Sequence, residues 1–160
     1  MGFAAHVTSV IALLAAALVA GGQLFCDVAL VGALRQWPAD MGVRVHQGAM
    51  TQRPDRYMRP AGVLTALAGA VLLVLLVLDD DDLAAQSLVA LGTLAAVASG
   101  VTSSREWPIN DEIDRWGDRP DIARYAMLRP LWDRRHRLRT VLSLVALASY
   151  ALAVVVSDVL

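Results

Sequence analysis

The stretch LWDRRHRLRTVLSLVALASYALAVVV, residues 131–156, divides sharply in two. Its first nine residues hold four arginines, a tryptophan and a histidine, and from Thr140 to Val156 no residue is charged. A hydrocarbon core of about 30 Å takes roughly 20 helical residues to cross, and the apolar part approaches that length. Arginines set against one end of such a run anchor it at a membrane surface. They can also form one wall of a site, and the rest of the chain decides how much of each.

Three other stretches are nearly free of charge. With the first they give spans at about 7–34, 61–78, 83–103 and 138–157. The apolar runs are continuous, not alternating, so a membrane β-barrel is not expected. With 57% hydrophobic residues among 160, the chain reads as a single domain spanning residues 1–160. Its expected class is all-α: an integral membrane four-helix bundle with two structured cytoplasmic loops. The first span has no Lys or Arg before it and is longer than a signal-peptide core, so it is kept as a true span. A lone cysteine, Cys26, forms no intrachain disulfide and no CxxC redox pair.

Charge sets the expected orientation. All fourteen basic residues are arginines, five in 35–59 and nine in 105–139. The connection between spans two and three holds Asp79, Asp80, Asp81 and Asp82 instead, and all four tryptophans lie in the arginine-rich loops. The expectation is a multi-pass cell-membrane protein, N-out and C-out, with both arginine-rich loops in the cytoplasm. Those loops are acidic as well, and the net charge is −1, so nucleic acid is not an expected partner. The lipid bilayer is, and a homo-oligomer stays open.

Local patterning adds detail. Gly62, Ala66 and Ala70 on span two, and Gly92, Ala96 and Gly100 on span three, make small-residue stripes suited to close helix packing. Pro60 is expected to open span two and Pro130 span four, giving a last helix of about 40 Å at 1.5 Å per residue. Residues 38–53 read as a short helix ended by Pro54. Residues 110–116 read as another, with Asn110 as N-cap and Gly117 beyond its end.

The chemistry-bearing residues gather at the arginine-rich end. Trp132, His136 and Arg139 follow i, i+4, i+7, and the line continues through Ser143, Ala146 and Tyr150. A polar stripe along a span faces the bundle interior. His136 alone on it titrates near neutral pH. Arg134, Arg135 and Arg137 fall off the stripe and read as topology and lipid-headgroup contacts. Asp27 is the one ionisable side chain well inside a span, and it shares a face with Gln23 and Cys26. A carboxylate there costs about 2.5–3.5 kcal/mol on insertion scales, so it needs a protein partner. His46, Gln47, Arg56 and Arg59 lie in the first loop. A metal would need His46, His136 and Asp27 or Cys26 to converge, and no HxxxH or HExxH spacing supports that.

Together these motifs resemble the anthrone-oxygenase-like family of small four-span membrane proteins. The resemblance rests on a polar patch ending span one, Pro108-x-Asn110 after span three, and Trp132-x3-His136-x2-Arg139 entering span four. It implies oxidation of a flat phenolic or anthrone-like substrate with O2 as co-substrate and no further cofactor, a bound metal staying open. Under it, His136 is the base, with Arg139 and Asn110 as oxyanion donors and Asp27 or His46 relaying the proton. Trp132, Trp107, His46, Arg56, Arg59 and Tyr150 would contact the small aromatic substrate. Two other classes compete: a small transporter using Asp27 as coupling carboxylate, and a non-catalytic structural or partner subunit. Long polar loops favour an interfacial site over a conduit.

Reporter fusions at residues 80 and 118 should show opposite sidedness, with 118 inside. The reverse result overturns the orientation, and equal sidedness overturns the span count.

Overall fold

A computed structural model describes residues 2–48, 53–79 and 82–159, excepting the side chains of 53–56 and 158–159. Among the described residues all regular structure is helical. Helix α1 (Phe3–Phe25) runs into a π-helical segment (Cys26–Val31) and then α2 (Gly32–Leu34). Helices α3 (Ala39–His46), α4 (Arg53–Leu78), α5 (Leu83–Ser104), α6 (Trp107–Arg115) and α7 (Ile122–Val159) follow. Four helical stretches are long and apolar enough to cross a membrane: Phe3–Leu34, Tyr57–Leu78, Leu83–Arg115 and Ile122–Ser157. The protein is therefore an all-α membrane bundle.

The four long helices pack in a ring, α1 on α4, α4 on α5, α5 on α7 and α7 on α1. Two apolar cores result. The larger fills the bundle, with Ala12, Ala16, Leu72, Val89, Ala146 and Tyr150 among its members. The other lies at the arginine-rich end, where α3 and α6 pack on the first half of α7 through Val43, Ile109, Ile113, Tyr125 and Trp132. Two buried threonines inside the spans satisfy their hydroxyls on their own helices: Thr65 donates to the Ala61 carbonyl and Thr140 to the His136 carbonyl. Where lipid offers no partner, that is the cheap solution.

Several local expectations are corrected. Pro60 and Pro130 do not open their helices. Helix α4 starts at Arg53, and α7 starts at Ile122, so both prolines lie inside. Each forfeits a backbone hydrogen bond; for Pro130, the packing of α3 and α6 onto this half of α7 outweighs that loss. With 38 residues, α7 is about 57 Å long, well beyond the 40 Å expected. Pro54 lies in the first turn of α4 instead of ending a preceding helix. Asn110 is not a cap, because α6 begins three residues earlier with Pro108 in its first turn. Gly117 does follow the end of α6, at φ +52°, a conformation glycine adopts freely. Asp80 and Asp81 lie outside the described residues; Asp82 caps α5 by accepting from the Ala84 amide at 3.3 Å.

Of the three glycines in the small-residue stripes, Gly62 and Gly100 have open space where a Cβ would stand and Gly92 faces the Tyr150 ring; Gly69, which neither stripe includes, faces the same side chain. The Tyr150 hydroxyl lies 3.2 Å from that of Thr93 and donates to the Thr65 carbonyl at 3.4 Å. Tyr150 thus ties α7 to α4 and α5 at one level. A Cβ at Gly69 would sit 2.0 Å from the Tyr150 oxygen.

Gly69→Ala should therefore destabilise the bundle by about 1–3 kcal/mol through overpacking, read as a lower unfolding temperature in detergent. Gly100→Ala should leave that temperature unchanged.

Candidate functional site

Below Tyr150, the stripe on α7 meets polar groups from every neighbouring helix. Trp132, His136, Ser143, Ala146 and Tyr150 are all buried, as the spacing predicts. Gln23 of α1 accepts from Ser143 at 3.1 Å, and Ser143 lies 2.9 Å from Ser99 of α5. One turn further toward the loops, the Arg139 guanidinium spreads over three partners. Its Nη1 donates to Ser103 at 3.0 Å and pairs with a Glu106 carboxylate oxygen at 2.9 Å, and its Nη2 donates to His136 Nδ1 at 2.8 Å. Glu106 and His136 are 0% exposed.

The Arg139 contact fixes the chemistry of His136. A guanidinium only donates, so Nδ1 accepts, and the neutral ring carries its proton on Nε2. That nitrogen has no hydrogen-bond partner among the described residues, although the Gln23 main-chain carbonyl is a near neighbour. The imidazole stacks flat on Trp132, with ring centroids 4.9 Å apart and planes 6° from parallel.

Trp132 then leads to the first loop. Its indole Nε1 donates to Asn110 Oδ1 at 2.9 Å, and His46 Nε2 approaches the same oxygen at 3.3 Å. The His46 ring packs against Trp132 at 4.7 Å and against Tyr125 at 5.8 Å between centroids. Its Nδ1 lies 3.5 Å from the Tyr125 hydroxyl, which also donates to the Gly42 carbonyl at 3.3 Å. Burial pushes the His46 imidazole down to about 4, against a favourable bond to Asn110, and nearby Arg129 lowers it further. His46 is therefore neutral at neutral pH, with Nε2 as donor to Asn110. One amide oxygen, receiving two ring N–H groups, joins α3, α6 and α7.

Of the expected site residues, His136, Arg139, Asn110, Trp132 and His46 converge. Trp107 lies beside them at the start of α6, with the Arg59 guanidinium 4.1 Å from its ring centroid. Tyr150 is elsewhere: fourteen residues along α7 is about 21 Å from His136, and its role is in bundle packing. The side chain of Arg56 lies outside the described residues. Asp27 is half-buried in the π-helical segment and makes no ion pair or side-chain hydrogen bond among the described residues. The extra residue of a π turn shifts the face that α-helical spacing from Gln23 would assign. The buried carboxylate that spacing assigned to Asp27 is instead Glu106. Between Arg105 and Trp107 in a short turn, Glu106 reads as a surface charge, and only the tertiary fold buries it against Arg139. Among the described residues, no group of three or more His, Cys, Asp or Glu is placed to hold a metal ion.

Fold and site define a membrane bundle with a buried His–Arg–Glu constellation at its arginine-rich end. The family model for anthrone oxygenases matches residues 48–149, more than half of the chain, and the protein belongs to that family. No curated protein and no solved structure matches it. The matched region contains Glu106, Asn110, Trp132, His136 and Arg139, while Gln23, Asp27 and His46 lie outside it.

Glu106→Gln should leave the Arg139 charge buried without its counter-ion, which costs about 3–5 kcal/mol for pairs of this kind. It should lower the unfolding temperature more than Glu112→Gln, which breaks only the solvent-exposed pair with Arg124, because water and salt screen ion pairs at the surface.

Proposed function

We propose that this protein is a membrane-embedded oxygenase that oxidises a flat, lipophilic phenolic or anthrone-like substrate with O2, and that His136 is the residue that meets it. The observation that carries this reading is the His136 ring: buried, held at Nδ1 by a guanidinium that is itself paired with Glu106, and with no side-chain partner at Nε2 among the described residues.

In the net reaction a ring methylene and one molecule of O2 become a ring carbonyl and one molecule of water, which balances without an external reductant. The anthrone methylene loses a proton, which water accepts and which later returns to the peroxide oxygen, to give an electron-rich enolate whose negative oxygen must be stabilised. Transfer of its electrons to O2 forms a C–O bond, and loss of water from the resulting hydroperoxide leaves the new carbonyl. Oriented donors in a dry site contribute most to such a step. The family resemblance implies that His136 is the base. The Arg139 contact favours the other role: Nε2–H donates to the substrate oxygen and stabilises the enolate, with Glu106 and Arg139 holding the ring. His136 acts as base at Nε2 only if Arg139 turns its Nη2 away from Nδ1. Because His136 is 0% exposed, substrate reaches it only when a packed element yields. Helices α3 and α6, docked on α7 through the smaller apolar core and the bonds to Asn110, are the elements placed to do so. The transport reading draws no support from Asp27, which has no partner among the described residues.

Purified protein should consume O2 with an anthrone or hydroquinone-type substrate and no added flavin or nicotinamide. His136→Ala should lower turnover about 10²–10³-fold, the usual effect of deleting one oxyanion donor, and His136→Gln, which keeps an N–H donor, should recover part of it. A Gln variant no better than Ala returns the base role to His136. Full activity in His136→Ala ends this reading of the site.

A further inference from the structure

The opposite side of α7 carries a second feature, independent of the His136 site. Residues 130, 133, 134, 137, 138 and 141 follow helical spacing and form one face, turned about 160° from the line through Trp132, His136 and Arg139. With Arg35, just past the end of α2, this face encloses a partly open groove of about 490 Å³. Arg35 bridges the groove to Asp133, its Nη2 lying 3.3 Å from Oδ2, and Asp133 is largely buried. Arg134 and Arg137 are exposed and make no ion pair or hydrogen bond among the described residues. Three arginines thus face one aspartate, and two of the three are unopposed.

We infer that this groove binds the phosphate headgroup of an anionic phospholipid, with an acyl chain lying along α7. The charge is at one end only. Leu138 and Val141, 52% and 50% exposed, continue the same wall toward the membrane-crossing part of the helix. A ligand matching both halves has a phosphate next to hydrocarbon, in that order along the helix. A soluble anion meets the arginines and leaves the apolar wall unused. The Arg35–Asp133 bridge gives the site its shape: it pins the end of the first span to α7, so the cations stand beside a formed recess and not on a bare helix. Occupancy would brace this joint while leaving the buried face of α7, and His136 on it, untouched.

The test uses the purified full-length chain in detergent, probed by native mass spectrometry with phosphatidylglycerol or phosphatidylcholine of identical acyl chains. Phosphatidylglycerol should be retained preferentially. The double variant Arg134→Gln/Arg137→Gln should bring its retention down to the phosphatidylcholine level, a loss of roughly ten-fold or more given about five-fold per arginine near an anionic headgroup. Arg44→Gln, which removes an exposed arginine at the end of α3, should keep the preference. Circular dichroism should show unchanged helicity in every variant, since neither Arg134 nor Arg137 contacts another described side chain through a polar bond. Equal retention of the two lipids overturns the inference, as does a double variant that still prefers phosphatidylglycerol. Displacement of the lipid by glycerol phosphate at equal concentration also overturns it, identifying a soluble-anion site instead.

Discussion

The Arg139 guanidinium is the joint that holds the two halves of the molecule in register. It lies between the apolar core of the bundle and the smaller core under the loops, with its side chain 16% exposed. A charge removed from water to that degree persists only when it is paired and hydrogen-bonded. Glu106 supplies the counter-ion, Ser103 an acceptor hydroxyl and His136 a ring nitrogen. These partners come from α5, the turn after it and α7 itself, so satisfying one cation fixes the end of α5 against the middle of α7. Arg135 reinforces the same joint by donating to the carbonyl of Arg105.

That joint sets the state of the ring beside it. Once Nδ1 accepts from Arg139, the tautomer of His136 follows, and with it the polarity of the nitrogen that remains. The Trp132 indole lies flat against the ring and prevents it from turning. Asn110 holds the indole in place, and His46 closes the other side of the cluster. The order of causes runs from a buried salt bridge, through an oriented imidazole and a stacked indole, to two docked loop helices. An active site that has to stabilise a developing oxyanion gains from this kind of pre-set donor, because nothing needs to reorient as charge appears.

The bundle above is held by different means. Spans one to three contribute mostly Ala, Leu, Val and Gly, and close approach replaces the hydrophobic drive that lipid cannot supply. Tyr150 is the one large polar-tipped residue at that level, and the absence of side chains at Gly69 and Gly92 makes room for it. The π-helical segment at Cys26–Val31 marks where the first span passes from the bundle core to the loop core, with Val31 buried among loop residues. Insertions of this sort re-aim the residues beyond them, and Asp27 falls within one.

The number of spans, the one-sidedness of the arginines and the stripe from Trp132 to Tyr150 are all legible in the order of residues. They follow from hydropathy and helical period, which are local properties of a chain that must satisfy its backbone inside lipid. The convergence of His46, Asn110, Trp132, His136 and Arg139 was legible in part, since each lies at the same end of its own segment. Which residues complete the site was settled by packing. Glu106 sits beside an arginine in a polar turn, and no local pattern distinguishes it from a solvated charge; in the fold it is sealed from water and paired with Arg139. Asp27 shows the converse: its spacing promised a buried face, and the π turn moved it off that face. Asn110 has the sequence signature of a cap, yet α6 starts earlier because Pro108 is better suited to a first turn, which leaves the amide free to gather two ring N–H groups. The polarity of His136 rests on the same distinction, because a ring's tautomer depends on what its neighbours donate, and those neighbours arrive from other helices.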